Sequence, residues 1–568
     1  MGAIKRKFAL PDNLIQLSNR DWSKELEQLN RTWDLGEKVM FITGETDCGK
    51  TDLAICFGLK VCPDNTYLIR YTDTLRTTIA DMPMLGYMQI PDDWSLSEDV
   101  YAKQRCDEKL RILEHYYSGA LFIVDGVDAR MIRNEPEYEK LVALNARFIF
   151  TSRNRCPGEV LHLSEITGCT QFLLNELNHL TSEERKVLCC AALLSDFGLP
   201  MVRFQKCLSD VVKDATNSLL AKKLLAIRLE PTIAIRPDLR EHYLRILHPT
   251  DADCTDFLNE LARLTVPKTC YSPEGYRQVA YYFANASKFL SDEAGLNARY
   301  AAQMFRDSGD YIPSFPLFEK RLSCQLALHP QSELDLAQAL CEAGAANYFQ
   351  AVSSLDSEKK QTLESQSIER IKQAVSIYEQ NLNPGHPDLA EARMALATVL
   401  RNQNWIASDE YTQETLDNQL AELSEYDPAL CSTYLSYAMH HYHWSQRKMR
   451  LEYTEKALKI MEQLNYIHED MALAYRILSE CADTKEQCLE HALSALKMYH
   501  LQTPWDQNNI YRSMLRIAEL NRRLGRNAVA KEYFRNAISL LETILPPDHQ
   551  KLAKFYEQIK NIEEDHND

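Results

Sequence analysis

No stretch of this 568-residue chain approaches the ~18 consecutive apolar side chains that a helix needs to cross a bilayer. No membrane span is therefore expected. Nor is there an excess of positive charge: 64 Lys and Arg stand against 81 Asp and Glu, a formal charge of −17. That balance argues against general nucleic-acid binding, which requires a basic face to displace counterions from phosphates. The acidity reads as solubility. Sixteen cysteines are present, but they are scattered without metal-type pairs, and Cys189-Cys190 sits in an apolar segment; all read as reduced, small core residues. No secretory signal opens the sequence, so the expected compartment is cytoplasmic. Arg6 occupies the position where an N-myristoylation signal needs Ser or Thr. No Ser-His-Asp, paired-Cys or His-Glu metal arrangement rises above background.

Against these absences stands Gly44-Glu45-Thr46-Asp47-Cys48-Gly49-Lys50-Thr51, which reads G-x-x-x-x-G-K-T. It follows the apolar run Lys38 to Thr43 and precedes the helical stretch Asp52 to Phe57, the strand-to-helix context of a phosphate-binding loop. The two glycines let backbone N–H groups curl toward a β-phosphate, Lys50 reaches β- and γ-phosphates, and the Thr51 hydroxyl is a Mg²⁺ ligand. Gly44, Thr46, Asp47, Cys48, Gly49, Lys50, Thr51 and Asp52 are the candidate nucleotide contacts. Ala120 to Asp125 is an apolar run ending in a carboxylate, the pattern of a buried parallel strand that delivers an acid to Mg²⁺. Thr51 and Asp125 are thus the candidate metal ligands. A further strand, Arg147 to Ser152, ends in hydroxyls and then Arg153, whose guanidinium suits a γ-phosphate. No Asn-Lys-x-Asp guanine-reading motif occurs, which favours ATP over GTP.

Short apolar strands alternate with helical stretches through residue 160, the signature of an open parallel sheet covered by helices. From about 168 to 250 the chain turns helical. Thr181-Ser182-Glu183-Glu184 marks a helix start with an acidic first turn, and Thr232 to Arg236 is a short strand-like interruption. A small helical domain with a β-wing is expected. From 251 onward the sequence repeats: positions 374, 415, 457, 495 and 537 align at spacings of 38 to 42, one helical hairpin each, with an earlier unit at 305–320. Such hairpins must stack into a solenoid to bury their apolar faces. Tyr311, Trp405, Tyr411, Tyr453, Tyr533 and Phe534 are expected to pack between its helices.

The combination resembles the signal-transducing NTPases of the STAND class, of the NB-ARC type, followed by tetratricopeptide repeats. Leu17-Ser18-Asn19-Arg20 resembles the segment ahead of the loop that wraps the adenosine, with Asn19 where the family has Gly; Arg20 is a nucleotide contact by this resemblance. Val124-Asp125-Gly126-Val127-Asp128 resembles its Walker B motif, with Gly126 where a second acid often stands. Thr151-Ser152-Arg153 resembles its sensor-arginine motif. Leu239 to Leu244 resembles the end of its winged-helix domain, and Arg236 occupies the place of the histidine that meets the β-phosphate of ADP. Gly198-Leu199-Pro200 is similar to the adenine-packing Gly-x-Pro motif but falls inside the winged-helix segment. Gly385-His386-Pro387-Asp388 resembles the start of a kinesin-light-chain repeat.

The resemblance implies a multidomain chain: an α/β P-loop NTPase domain (1–165), a small helical, winged-helix-like domain (166–250) and an all-α tetratricopeptide-repeat solenoid (251–568). It implies ATP or ADP with Mg²⁺ and a protein partner in the repeat groove; a nucleotide-dependent homo-oligomer is a further expectation, and no nucleic acid and no membrane are expected. Turnover is expected to be slow, with Asp125 on Mg²⁺, Asp128 polarising water and Arg153 sensing the γ-phosphate. Two rivals remain: a repeat scaffold with a purely structural nucleotide site, and an enzyme that uses the P-loop domain for phosphoryl transfer.

Overall fold

The computed structural model describes residues 10, 22–45, 48–84, 87, 98–163, 176–194, 198–208, 210–222, 224–227, 232–235, 237–265, 273–308, 311–353, 357–401, 403–440, 447–464, 470–501, 507–542 and 550–564. Arg20, Thr46, Asp47 and Arg236 lie outside the described residues.

Val39–Gly44 (β1), Thr66–Arg70 (β2), Leu121–Val127 (β3), Arg147–Ser152 (β4) and Leu161–Leu163 (β5) form a parallel sheet in the order β2-β3-β4-β1-β5. The apolar runs divide with period two between its faces. Phe41, Phe122, Phe148 and Phe150 lie on one face with Ile79, Ile112 and Leu113. Met40, Ile42, Leu121, Ile123 and Ile149 lie on the other with Leu29, Leu53 and Phe57. The aromatic face is stacked: Phe41 and Phe150 have ring centroids 5.1 Å apart, Phe122 and Phe148 5.7 Å. Each such pair contributes about 0.5–1.5 kcal/mol beyond its buried area. The chain leaves β1 toward one side of the sheet and returns to its other side at β5, so the strand order reverses beside β1. Ligands of open α/β sheets sit at such a reversal, at the carboxyl ends of the strands.

The segment after residue 176 is helical, with a small antiparallel sheet in which Thr232–Ala234 (β8) lies between Leu199–Pro200 (β6) and Ala226–Ile227 (β7). Two of these strands are only two residues long, too short for hydrophobic alternation to mark them in the sequence. Helix Ser182–Ala192 starts on a reciprocal cap: Thr181 Oγ1 accepts from Glu184 N at 3.2 Å, and Glu184 Oε2 accepts from Thr181 N at 3.0 Å. Packing is continuous across residue 250. Val187, Leu188 and Leu193 share one buried cluster with Phe257, Tyr282 and Phe283 of helices Asp251–Thr265 and Pro273–Phe289.

Helical hairpins fill the rest of the chain. The aligned positions fall in the second helix of successive hairpins, Ser357–Asn381, Trp405–Glu422, Arg447–Glu462, Lys485–Leu501 and Asn527–Glu542. Ala374, Thr415, Ala457, Ala495 and Ala537 are all buried there, because a small side chain lets neighbouring helices approach closely. His386 caps helix Pro387–Leu400, accepting from Asp388 N at 3.2 Å through Nδ1, with Pro387 in the first turn where no N–H is needed. Phe534 is buried, and Tyr411, Tyr453 and Tyr533 are half-buried. Trp405 departs from the expectation of inter-helix packing: it opens its helix and is 66% exposed, next to Ile406 at 56%. The side chain of Tyr311 lies outside the described residues. The described cysteines are free thiols, mostly buried. No described helix is long and apolar enough to cross a membrane.

Candidate functional site

The glycine-containing loop at 44–49 connects β1 to helix Lys50–Val61. Its two glycines are dictated by backbone geometry. Gly44 has φ +149°, and a Cβ there would lie 2.2 Å from the Leu163 carbonyl oxygen of the neighbouring strand. Gly49 caps the helix in the left-handed region, at φ +88° and ψ +21°. Gly44 therefore lies hard against β5, and Cys48 is buried.

Lys50 Nζ folds back to donate to the Gly44 carbonyl at 3.0 Å and the Glu45 carbonyl at 2.5 Å, with Cys48 Sγ at 3.6 Å. Thr51 Oγ1 donates to Asp125 Oδ1 at 2.6 Å. These two residues are 74 apart in sequence, and the sheet brings them together because the helix after β1 starts above the carboxyl end of β3. Thr151 Oγ1, at the end of β4, donates to the same Asp125 oxygen at 2.5 Å and accepts from Gly126 N at 3.0 Å. Asp125 is thereby held from the start of the loop helix and from the end of β4.

Three other candidates take less direct places. Asp52 is buried and accepts from the Trp22 indole Nε1 at 3.2 Å, which ties the segment ahead of β1 to the loop helix. Arg153 follows β4 on an exposed turn and has no hydrogen bond or ion pair among the described residues. Asp128 accepts from Arg130 N at 3.0 Å and Arg130 Nε at 3.4 Å. The Arg130 backbone N–H, then the Arg130 guanidinium and Asn154, hold its carboxyl below the usual range. Asp128 is thus engaged as a turn acceptor.

The sequence does not reveal the polar group on the other flank of β1. Thr43 Oγ1 donates to Glu159 Oε2 and lies 2.8 Å from His162 Nδ1. Thr43 pairs with Ser152 on one side and His162 on the other. Only the strand register could have placed these residues together, and β5 is too short to announce its register. Among the described residues no group of three or more His, Cys, Asp and Glu could hold a metal ion. A hydroxyl and one carboxylate suit Mg²⁺ that keeps waters and takes its remaining oxygens from a phosphate.

No protein-family model matches the sequence, and no curated protein matches it. Among solved structures, a Signal Transduction ATPase with Numerous Domains (STAND) protein with a tetratricopeptide-repeat sensor, from Pyrococcus horikoshii, is similar over 98% of this chain and 86% of its own, at 15% identity and TM-score 0.56. The chain shares the fold of that protein. That fold includes the parallel sheet with its loop and the helical hairpins that follow it. Kinesin-light-chain-like repeats from Podosopora anserina align with 37% of the chain and 96% of their own length, at 13% identity and TM-score 0.30. An aspartyl phosphate phosphatase from Bacillus subtilis aligns with 68% of the chain and 95% of its own, at 12% identity and TM-score 0.31.

Proposed function

We propose that the chain is a cytoplasmic nucleotide-dependent switch, divided at about residues 165 and 250, that holds ATP or ADP with Mg²⁺ at the loop and a protein partner on its repeats. The observation that carries this reading is the meeting of Thr51 and Asp125 at the start of the helix that follows Gly49, with Lys50 next to Thr51 in sequence and its ammonium turned back to the Gly44 and Glu45 carbonyls. On nucleotide binding, Lys50 exchanges two neutral carbonyl acceptors for anionic phosphate oxygens, a gain in charge-assisted bonding. Thr51 and Asp125 would hold Mg²⁺, which when bound neutralises charge between the β- and γ-phosphates. Thr151 keeps the Asp125 carboxylate oriented while it does so. Arg153, exposed at the adjacent strand end, is the group for a γ-phosphate.

Turnover is slow in this reading, because Gly126 offers no acid and Asp128 is committed to Arg130. Nucleotide state then acts by shifting domain arrangement, to the extent that ATP and ADP bind the two arrangements differently. One contact can transmit such a shift: the buried Arg277, in helix Pro273–Phe289, donates through Nη1 to the Tyr87 carbonyl on the aromatic side of the sheet. The deciding experiment titrates full-length protein with ATP and ADP, with and without Mg²⁺, and then measures partner capture in each state. Equal capture in both states removes the switch and leaves a scaffold.

A further inference from the structure

The second helix of one hairpin, Trp405–Glu422, leaves a whole face in solvent. Its buried positions, Ser408, Thr412, Thr415, Leu416 and Gln419, follow one stripe of the helix. Ile406, Glu410, Gln413, Asp417 and Leu420, spaced by three or four residues, therefore share another, and all are exposed. Trp405, 66% exposed, and Ile406, 56% exposed, head that face, and Leu420 closes it. Single exposed apolar side chains are ordinary, but an indole beside an isoleucine makes a patch.

The charge on this helix is one-sided. It carries Asp409, Glu410, Glu414, Asp417 and Glu422 and no Lys or Arg, whereas the second helices of the hairpins before and after it, Ser357–Asn381 and Arg447–Glu462, mix both signs. Neighbouring cations balance little of that charge. Arg393 reaches Glu414 at 3.3 Å but lies closer to Glu379, at 2.8 Å. Lys456 pairs with Glu425 and Glu452, and the Lys459 ammonium donates to Tyr426 Oη at 3.1 Å. Asp417 accepts a neutral bond from Gln413 Nε2 at 3.0 Å, and Glu410 has no hydrogen bond or ion pair among the described residues.

We propose that this face docks a basic amphipathic helix of a partner protein, with an aliphatic side chain against Trp405 and Ile406 and Lys or Arg side chains against Glu410 and Asp417. The charge selects the occupant. Nucleic-acid phosphates or an anionic lipid surface would meet carboxylates, and a second copy presenting the same face would set these carboxylates against their equivalents. A cationic helix gains instead, because carboxylates stand about one and about three turns beyond Ile406, a repeat that a second helix alongside can match. The exposed indole adds a face that attracts ammonium and guanidinium groups, and Trp is among the residues that most often dominate interface energy. The surface belongs to a second helix, so it is separate from a groove lined by first helices. The inference deepens the reading of the repeats as the partner-binding half and rests on it.

Fluorescence anisotropy on the full-length chain without nucleotide tests it, using three labelled helical peptides: one with a Leu stripe flanked by Lys, one with Glu in place of Lys, and one with Gln in place of Leu. The first is expected to bind at least about tenfold more tightly than the other two, with affinity falling as salt is raised. Trp405→Ser, at an exposed position, should weaken it about tenfold, and Glu410→Gln about threefold. Glu486→Gln, which neutralises an exposed acid on helix Lys485–Leu501, should change nothing. Unchanged affinity in Trp405→Ser overturns the site, and so does an equal loss in Glu410→Gln and Glu486→Gln, which would reduce it to general attraction by an acidic chain. Equal binding of the Glu peptide overturns the choice of partner. A concentration-dependent rise in mass that Trp405→Ser abolishes would give the face to a second copy instead. Partner capture with ATP and ADP is scored separately, so failure of the switch leaves this face standing, and failure of this face leaves the switch to its own titration.

Discussion

Thr51 and Asp125 share a hydrogen bond of 2.6 Å across 74 residues of sequence, and Thr151 donates to the same carboxylate oxygen from the next strand. One carboxylate oxygen is thus engaged by two hydroxyls, while the Lys50 ammonium donates to the Gly44 and Glu45 carbonyls. Lys50→Ala should lower ATP affinity by at least about 2 kcal/mol, roughly thirtyfold, because charge-assisted bonds to phosphate are lost without replacement. Asp125→Ala should instead abolish the dependence of binding on Mg²⁺. Isothermal titration with and without the metal separates the two effects; unchanged ATP affinity in Lys50→Ala sinks the nucleotide site.

Arg153→Ala should reduce the preference for ATP over ADP and leave ADP affinity nearly constant. The side chain is exposed and makes no structural bond among the described residues, so its removal leaves the strand end intact. Competition titrations of the two nucleotides give the ratio directly. An equal loss for both would make Arg153 a general attraction rather than a γ-phosphate sensor.

The loop, the strand acids and the hairpin spacing were legible in the sequence because each rests on local rules: glycine where φ is positive, apolar runs in parallel strands, a small residue once per hairpin. What lay hidden was tertiary. Thr151 looked like one hydroxyl among several until strand pairing set it against Asp125. Asp52 reads as part of the loop motif, yet it is buried against Trp22. Trp405 shows the opposite failure. Aromatic identity at a repeat position suggested packing, but Trp405 opens its helix and is exposed together with Ile406.

That exposure has a consequence for stability. Trp405→Ser should change unfolding free energy by no more than about 0.5 kcal/mol, as for surface positions generally, whereas Phe534→Ala should cost about 3–5 kcal/mol in the last hairpin. Hydrogen exchange resolved by segment is the suitable measure, since several cores unfold separately. A large loss of protection in Trp405→Ser would show that the tryptophan is a packing residue after all.

Glu184 gives the helical segment after 176 a pH dependence with a definite sign. Burial raises its pKa, but bonds from Lys222 and Ser218, both at 2.7 Å, and from Thr181 N outweigh it and leave the carboxyl below its ordinary value. A depressed folded-state pKa stabilises the fold fully above the unfolded carboxylate value, about 4.3, and that stability is lost as pH falls from there through the lower folded-state value. Helix Ser182–Ala192 should therefore lose exchange protection on acidification from pH 5 toward about 3, beyond the change in neighbouring helices. Glu184→Gln should flatten that dependence and cost about 1–3 kcal/mol at neutral pH, because it unpairs Lys222.

Where the chain can be cut follows from the continuous packing across residue 250. Tyr282 Oη donates to the Cys190 carbonyl at 2.8 Å, and Asn285 Nδ2 donates to the Leu193 carbonyl at 3.1 Å. A fragment of residues 251–568 leaves both donors and the apolar faces around Phe257 and Phe283 without their partners. A fragment of residues 176–568 keeps them and, among the described hydrogen bonds, loses the one from Arg277, whose guanidinium water can solvate. The longer fragment should be monomeric and soluble, and the shorter one should aggregate. Light scattering of the two fragments at matched concentration decides between them: a well-behaved 251–568 would mean that the repeats are independent of the preceding helices, and the route from nucleotide to groove through Arg277 would have to be abandoned.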